Sequence, residues 1–243
     1  MKKMTIKVVI LCGGLGTRLS EETKTIPKPL VKIGKFPILF HIMKSYSKYG
    51  FNDFILALGY RGSQIKKYFI KKKIAEKNNW KINYQFTGKN TLTGTRIKKI
   101  KKLIKNDENF MCTYGDGLSN INIKKLYKFH LKKRKICTMT AVRPTARFGE
   151  IFLKGNSVKK FVEKPQVHSS WINGGFFVFN KSFFKYIPKK NVMLETDPMK
   201  KAINEKQLSA FKHHSFWQCM DTMRDKNLLN NMLKKNKIPP WVK

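Results

Sequence analysis

From Ile6 onward, short apolar runs alternate with longer lysine-bearing stretches of helical period. Ile6–Leu11, Phe54–Leu58, Ile82–Phe86, Phe110–Tyr114 and Cys137–Val142 read as short apolar strands, with Ile38–Tyr49, Ile65–Lys72, Ile97–Ile104 and Ile123–Lys133 as the amphipathic stretches between them. A strand, a helix and a second strand of these lengths form a parallel crossover unit. The pattern therefore predicts a doubly wound α/β fold: a mostly parallel sheet with helices on both faces and right-handed connections. Past Pro144 the rhythm changes. Glu150–Leu153, Val158–Glu163 and Phe176–Phe179 follow one another as strands without helices, which predicts a small antiparallel insertion over one edge of the sheet. A helix over Pro198–Glu205, a strand over Leu208–Phe211 and a helix over Arg224–Lys235 complete the pattern. The length suits a single domain spanning 1–243, and no repeat or low-complexity segment interrupts it.

Charge narrows the choice of partner. The chain carries 52 Lys and Arg against 14 Asp and Glu, a formal charge of +38, which favours a phosphate-rich ligand, either a nucleic acid or a nucleotide. The lysines are dispersed along helices and loops instead of being gathered on one arm and interleaved with stacking aromatics. Dispersal of this kind fits solvated helix faces and argues against a specific nucleic-acid partner. No apolar stretch approaches the roughly 18 residues of a membrane span, so a soluble protein without a membrane partner is expected. Cys12, Cys112, Cys137 and Cys219 are scattered without a CxxC pair. They suggest reduced thiols in a cytoplasmic protein, not a disulfide framework or a zinc site.

The strongest local signal follows the first strand directly: Leu11-Cys12-Gly13-Gly14-Leu15-Gly16-Thr17-Arg18, then Pro27-Lys28-Pro29. Three glycines let backbone N–H groups approach a phosphate or base closely. The loop lacks the Gly-Lys-Ser/Thr of a Walker sequence and does not match GxGxxG. What it adds is Arg18, whose planar fork grips phosphoryl oxygens, and Lys28, a point charge on a backbone restricted by two prolines. Among the few acidic residues, Asp116 in Thr113-Tyr114-Gly115-Asp116-Gly117 and Asp221 in Phe216-Trp217-Gln218-Cys219-Met220-Asp221-Thr222 lie in glycine-rich or aromatic settings. Asp116 ends an apolar strand, where open α/β sheets bind ligands. Two carboxylates converging from distant positions would suit Mg²⁺, which takes one or two carboxylates together with substrate phosphates. Arg224 and Asp225 read as helix-start residues. Glu163-Lys164-Pro165 offers a carboxylate and a cation, and Ile172-Asn173-Gly174-Gly175 offers an amide and exposed backbone. The five histidines and the absence of a Gly-x-Ser-x-Gly elbow give no sign of nucleophilic catalysis.

Taken in order, these segments resemble the sugar nucleotidyltransferases and, within them, the cytidylyltransferases that act on glucose 1-phosphate. The resemblance runs over nearly the whole chain. Further marks are Pro37-Ile38-Leu39, Leu58-Gly59-Tyr60 and Thr87-Gly88-Lys89-Asn90-Thr91-Leu92-Thr93-Gly94-Thr95-Arg96, in which Thr95 replaces a usual glycine. The resemblance implies nucleotide contacts at Leu11, Cys12, Gly13, Gly14, Leu15, Gly16, Thr17, Arg18, Lys28, Thr91, Arg96 and Gly115, and magnesium carboxylates at Asp116 and Asp221. It places Glu163, Lys164 and Asn173 against the sugar phosphate, with Arg18 and Lys28 as catalytic groups. It further implies CTP and a sugar 1-phosphate as substrates, Mg²⁺ as cofactor, and a cytoplasmic homo-oligomer supplying nucleotide sugars for surface polysaccharide. A related enzyme using another NTP or sugar phosphate is the alternative. A basic nucleic-acid-binding protein is the alternative of a different class.

Overall fold

A computed structural model describes residues 6–145, 149–162, 171–235 and 238–242. The chain opens with strand β1 (Lys7–Cys12), helix α1 (Ser20–Thr23), the short strands β2 (Lys32–Ile33) and β3 (Phe36–Pro37), and helix α2 (Ile38–Ser47). Strand β4 (Asp53–Leu58), helices α3 (Gly62–Lys71) and α4 (Ile74–Asn78), strand β5 (Lys81–Phe86) and helices α5 (Thr93–Lys99) and α6 (Lys101–Ile104) follow. Next come β6 (Asn109–Tyr114), β7 (Gly117–Ser119), α7 (Ile123–Lys133), β8 (Cys137–Val142), β9 (Glu150–Lys154), β10 (Ser157–Val162) and β11 (Ile172–Asn180). The last elements are α8 (Asp197–Asn204), β12 (Leu208–His213), β13 (Trp217–Cys219) and α9 (Met223–Lys235).

Seven strands form the main sheet in the order β12-β8-β11-β6-β1-β4-β5. β1 runs parallel to both β4 and β6, β4 to β5, and β8 to β12. Only β11 runs against its neighbours, antiparallel to β6 and β8. The doubly wound, mostly parallel architecture read from the alternation is thus present. Side chains of β1 alternate between two cores: Val8, Ile10 and Cys12 pack with Ile42, Met43 and Phe69 on one face, and Val9 and Leu11 with Ile97 and Phe177 on the other. Burial on both faces is why these strands read as continuous apolar runs.

Two expectations change. The strand around Phe176–Phe179 is not part of an edge insertion. It extends to Ile172–Asn180 and lies in the middle of the sheet, where Phe177 and Phe179 are fully buried. A reversed strand can be inserted between parallel ones because only its hydrogen-bond pattern changes, not its demand for apolar side chains. The insertion itself is the β9–β10 hairpin, which forms a separate two-stranded sheet. The run Ile97–Ile104 is two short helices, α5 and α6, broken at Ile100, not one.

His130 on α7 is buried, with Nδ1 at 2.9 Å from Thr138 Oγ1 and Nε2 at 3.3 Å from Asn109 Oδ1. Burial holds its pKa down to about 4. The folded protein therefore binds this proton only near pH 4, whereas the unfolded chain binds it below about 6.5. Stability contributed by the neutral imidazole is complete above about pH 6.5 and is lost as pH falls toward 4, by at most about 1.4 kcal/mol per pH unit. His130→Gln should flatten the fall in melting temperature between pH 7 and pH 5. An unchanged pH slope would exclude His130 as a contributor.

Candidate active site

The glycine-rich loop leaves β1 at the carboxyl end of the sheet. Gly16 lies in the left-handed region at φ +73°, and a Cβ there would stand 2.9 Å from Thr23 Cγ2, so turn and packing together demand glycine. The Thr23 hydroxyl, with the Gly16 and Leu19 carbonyl oxygens each 2.9 Å away, closes the turn. Gly14 faces open space, and Arg18, 72% exposed along its side chain, projects beyond the turn. Arg96 holds the back of the loop. Its buried guanidinium donates to the carbonyls of Gly13 (3.2 Å), Leu58 (3.0 Å), Gly88 (3.0 Å) and Thr91 (2.7 Å) and to the Thr87 hydroxyl. A Cβ at Gly13 would lie 2.0 Å from Arg96 Cζ, and one at Gly59 2.5 Å from Arg96 Nη1. Both glycines make room for that side chain.

The two aspartates are brought together by a small ladder. β7, directly after Asp116, pairs antiparallel with β13, directly before Met220 and Asp221, with Gly117 opposite Cys219. The Met220 N–H donates to the Asp116 carbonyl at 2.8 Å. On the far side, Thr222 and Asp225 form a reciprocal cap at the start of α9: Asp225 N–H meets Thr222 Oγ1 at 3.3 Å, and Asp225 Oδ2 accepts from the N–H groups of Thr222 (2.9 Å) and Asp221 (3.0 Å). The helix start read at Arg224 and Asp225 is present, and its cap fixes the backbone of Asp221.

Between the carboxylates lies the Lys28 ammonium, 2.6 Å from Asp116 Oδ2 and 2.5 Å from Asp221 Oδ1. Arg18 Nη1 reaches Asp221 Oδ2 at 2.8 Å. Burial alone would lower the Lys28 pKa; the charge of Asp116 and the bonds to both aspartates outweigh it and raise it. Asp116, Asp221 and Cys219 place one candidate ligand atom each within 4.8 Å of one another. The Cys219 thiol is pushed far up by burial and by the two aspartates, which leaves it protonated. Two carboxylate donors fit a hard divalent cation.

These groups open onto a cleft of about 1830 Å³, whose wall includes Arg18, Tyr114, Asp116, Asn173, Glu195 and Asp221. The structure thus brings together Arg18, Lys28, Gly115, Asp116 and Asp221, with Asn173 across the cleft. Gly115 packs so closely that a Cβ would stand 3.0 Å from the Leu11 carbonyl oxygen. Thr91 and Arg96 sit behind the loop, Thr91 Oγ1 donating to the Thr87 carbonyl at 2.6 Å. Glu163 and Lys164 lie outside the described residues. Reading the sequence missed Gly59 and Thr87 as partners of Arg96, and Glu195 on the cleft wall. Acid scarcity could have flagged Glu195; it escaped because it lies at no strand end.

A glycine-rich turn after the first strand, a lysine between two prolines and paired aspartates at strand ends define a nucleotide-transfer enzyme of the doubly wound class. Residues 7–225 match the nucleotidyl transferase family, and the chain belongs to it. It is 42% identical over 252 aligned residues to a glucose-1-phosphate cytidylyltransferase of Salmonella typhimurium, covering 96% of this chain and 98% of that one. It is 31% identical to a mannose-1-phosphate guanyltransferase of Aspergillus oryzae, covering 93% of this chain and 63% of the relative. In fold it is similar to a solved UDP-glucose pyrophosphorylase complexed with UDP-glucose, at a TM-score of 0.73 and 18% identity, over 96% of this chain and 99% of the other.

Proposed function

We propose that the chain, acting as one domain over 1–243, transfers a cytidylyl group from CTP to glucose 1-phosphate, releasing CDP-glucose and pyrophosphate. The observation that carries this reading is the near-full-length similarity to a glucose-1-phosphate cytidylyltransferase, together with the meeting of Arg18, Lys28, Asp116 and Asp221 in one cleft. A phosphate oxygen of the sugar phosphate attacks the α-phosphorus in line, the bond to the β-phosphate breaks, and the electron pair leaves on pyrophosphate. The attacking phosphate is already ionised near neutral pH, so no general base is needed. Catalysis is positioning and charge stabilisation. Mg²⁺ held by Asp116 and Asp221 would supply charge neutralisation at the transferring phosphoryl group. Lys28 serves the α-phosphate and Arg18 the departing pyrophosphate, while Lys164, Glu163 and Asn173 receive the sugar phosphate. Arg96 and Thr91 support the loop that reads the base, in which a backbone carbonyl accepts from the cytosine amine. Uracil presents an acceptor there and leaves that carbonyl unpaired, which favours CTP.

Pyrophosphate release measured over a panel of NTPs and sugar 1-phosphates tests the reading. The expected result is a maximum with CTP and glucose 1-phosphate; a maximum with another pair would establish the alternative substrate. Cys12, Cys112 and Cys137 are buried and unpaired, which supports a reducing, cytoplasmic setting. Among the described residues no helix is long and apolar enough to cross a membrane. Arg18→Lys should lower turnover more than it weakens CTP binding, because an ammonium does not reproduce the planar fork on the leaving group. Loss of affinity with turnover unchanged would assign Arg18 to ground-state binding instead.

A further inference from the structure

Glu195 belongs to none of the sequence motifs, yet the structure presents it firmly in the cleft. Its segment is laced to the Thr91–Arg96 stretch by hydrogen bonds: Val192 N–H donates to Thr95 Oγ1 and Leu194 N–H to Thr93 Oγ1, both at 2.8 Å, and Thr95 N–H to the Val192 carbonyl at 3.2 Å. The threonine standing at position 95 in place of glycine supplies one of these ties. The Glu195 carboxylate accepts from the Tyr114 hydroxyl on one oxygen and from Thr93 Oγ1, at 3.0 Å, on the other. Tyr114 is itself held: its ring stands edge-on to Phe177 with centroids 5.8 Å apart, and Asn173 Nδ2 lies 3.4 Å from its hydroxyl. Gly175, at φ +77°, has no Cβ because one would lie 2.6 Å from the Tyr114 ring.

A carboxylate offers about four acceptor positions. Among the described residues, protein donors take two, one on each oxygen, and Glu195 remains exposed to the cleft. The open positions suit neutral hydroxyl donors and repel phosphate, whose cations, Arg18 and Lys28, gather at the aspartate pair. We propose that Glu195 is a specificity residue of the sugar subsite, accepting hydrogen bonds from hexose hydroxyls and excluding sugars that carry a carboxylate. The assignment rests on the transfer reaction proposed above.

The test compares glucose 1-phosphate with glucuronic acid 1-phosphate in the wild type, Glu195→Gln, Glu195→Asp and Tyr114→Phe. Glu195→Gln should raise KM for glucose 1-phosphate about 10- to 100-fold, leave KM for CTP within about twofold, and narrow the preference over the uronic acid by about tenfold. Glu195→Asp, which keeps the charge, should retain that preference while raising KM. Tyr114→Phe should also retain it, since the carboxylate stays in place. Sugar and CTP KM values that rise together in Glu195→Gln, unchanged kinetics, or a Tyr114→Phe variant that narrows the preference equally would each overturn the assignment. A wild type active on hexose 1-phosphates alongside an indifferent Glu195→Gln would sink this assignment alone. A wild type inactive over the whole panel would remove the underlying reaction, and Glu195's role with it.

Discussion

Asp221→Asn should lower turnover by about a thousandfold, the scale on which preorganised charge acts at a transferring group. Asp116→Asn should fall by less. The difference follows from the contacts: among the described residues the Asp221 carboxylate pairs with both Lys28 and Arg18, and the Asp116 carboxylate with Lys28 alone. On the proposed mechanism, loss of the Asp221 charge removes one of the two proposed metal ligands and releases both Lys28 and Arg18 from a shared anchor. Loss of the Asp116 charge leaves Lys28 and Arg18 joined through Asp221. The β7–β13 ladder and the Thr222–Asp225 cap do not use either carboxylate, so far-UV circular dichroism should be unchanged in both variants. The measurement is pyrophosphate release at limiting Mg²⁺, paired with Mn²⁺ binding followed by electron paramagnetic resonance. Near-normal turnover in both variants would refute the metal assignment, and equal losses would refute the shared anchor.

The second large effect is expected at Arg96. The residue is 3% exposed, and its guanidinium satisfies four carbonyls and a hydroxyl drawn from the Gly13 loop, the end of β4 and the turn after β5. Burial lowers its pKa, which is consistent with a cation held by neutral acceptors. Arg96→Ala leaves several of those acceptors without their donor. The cost should be on the order of 3 kcal/mol, since a buried unmatched polar group costs about 1–3 kcal/mol. Loosening the Gly13 carbonyl should also narrow the lead of CTP over UTP by about tenfold in kcat/KM, because discrimination depends on a fixed backbone acceptor. Gly13→Ala is the companion variant: its Cβ would collide with Arg96 while leaving the guanidinium in the chain. Both should give the same loss of base discrimination, and Thr91→Ala a smaller one. Activity that falls equally with every NTP would mean that the stretch supports the common phosphates and not the base.

Much of this was legible in the chain itself. Alternating apolar and lysine-bearing stretches specified the strands and helices because a doubly buried strand must be apolar at every position, whatever its neighbours. The Gly13–Arg18 loop and the proline-flanked Lys28 were legible because closely spaced glycines after a strand and a cation between prolines are local features of the sequence. Scarcity of acids drew attention to Asp116 and Asp221. The two helix-start residues were readable too, since capping is local and depends on residues three apart.

What only the tertiary structure decided is everything that depends on distance across the sheet. The central place of β11 was hidden: its antiparallel sense was read correctly, but apolar residues report that a strand is buried and not which strands flank it. The bracing of the loop by Arg96 was invisible in the sequence, since it depends on the acceptors around the guanidinium, and those come from three separate segments. Glu195 carried no local signature; its place in the cleft comes from the Thr93 and Thr95 hydroxyls that receive its neighbours' amides. Local chemistry is encoded in residue type and spacing, but convergence belongs to the fold: Asp116 and Asp221 meet across Lys28 only because β7 pairs with β13.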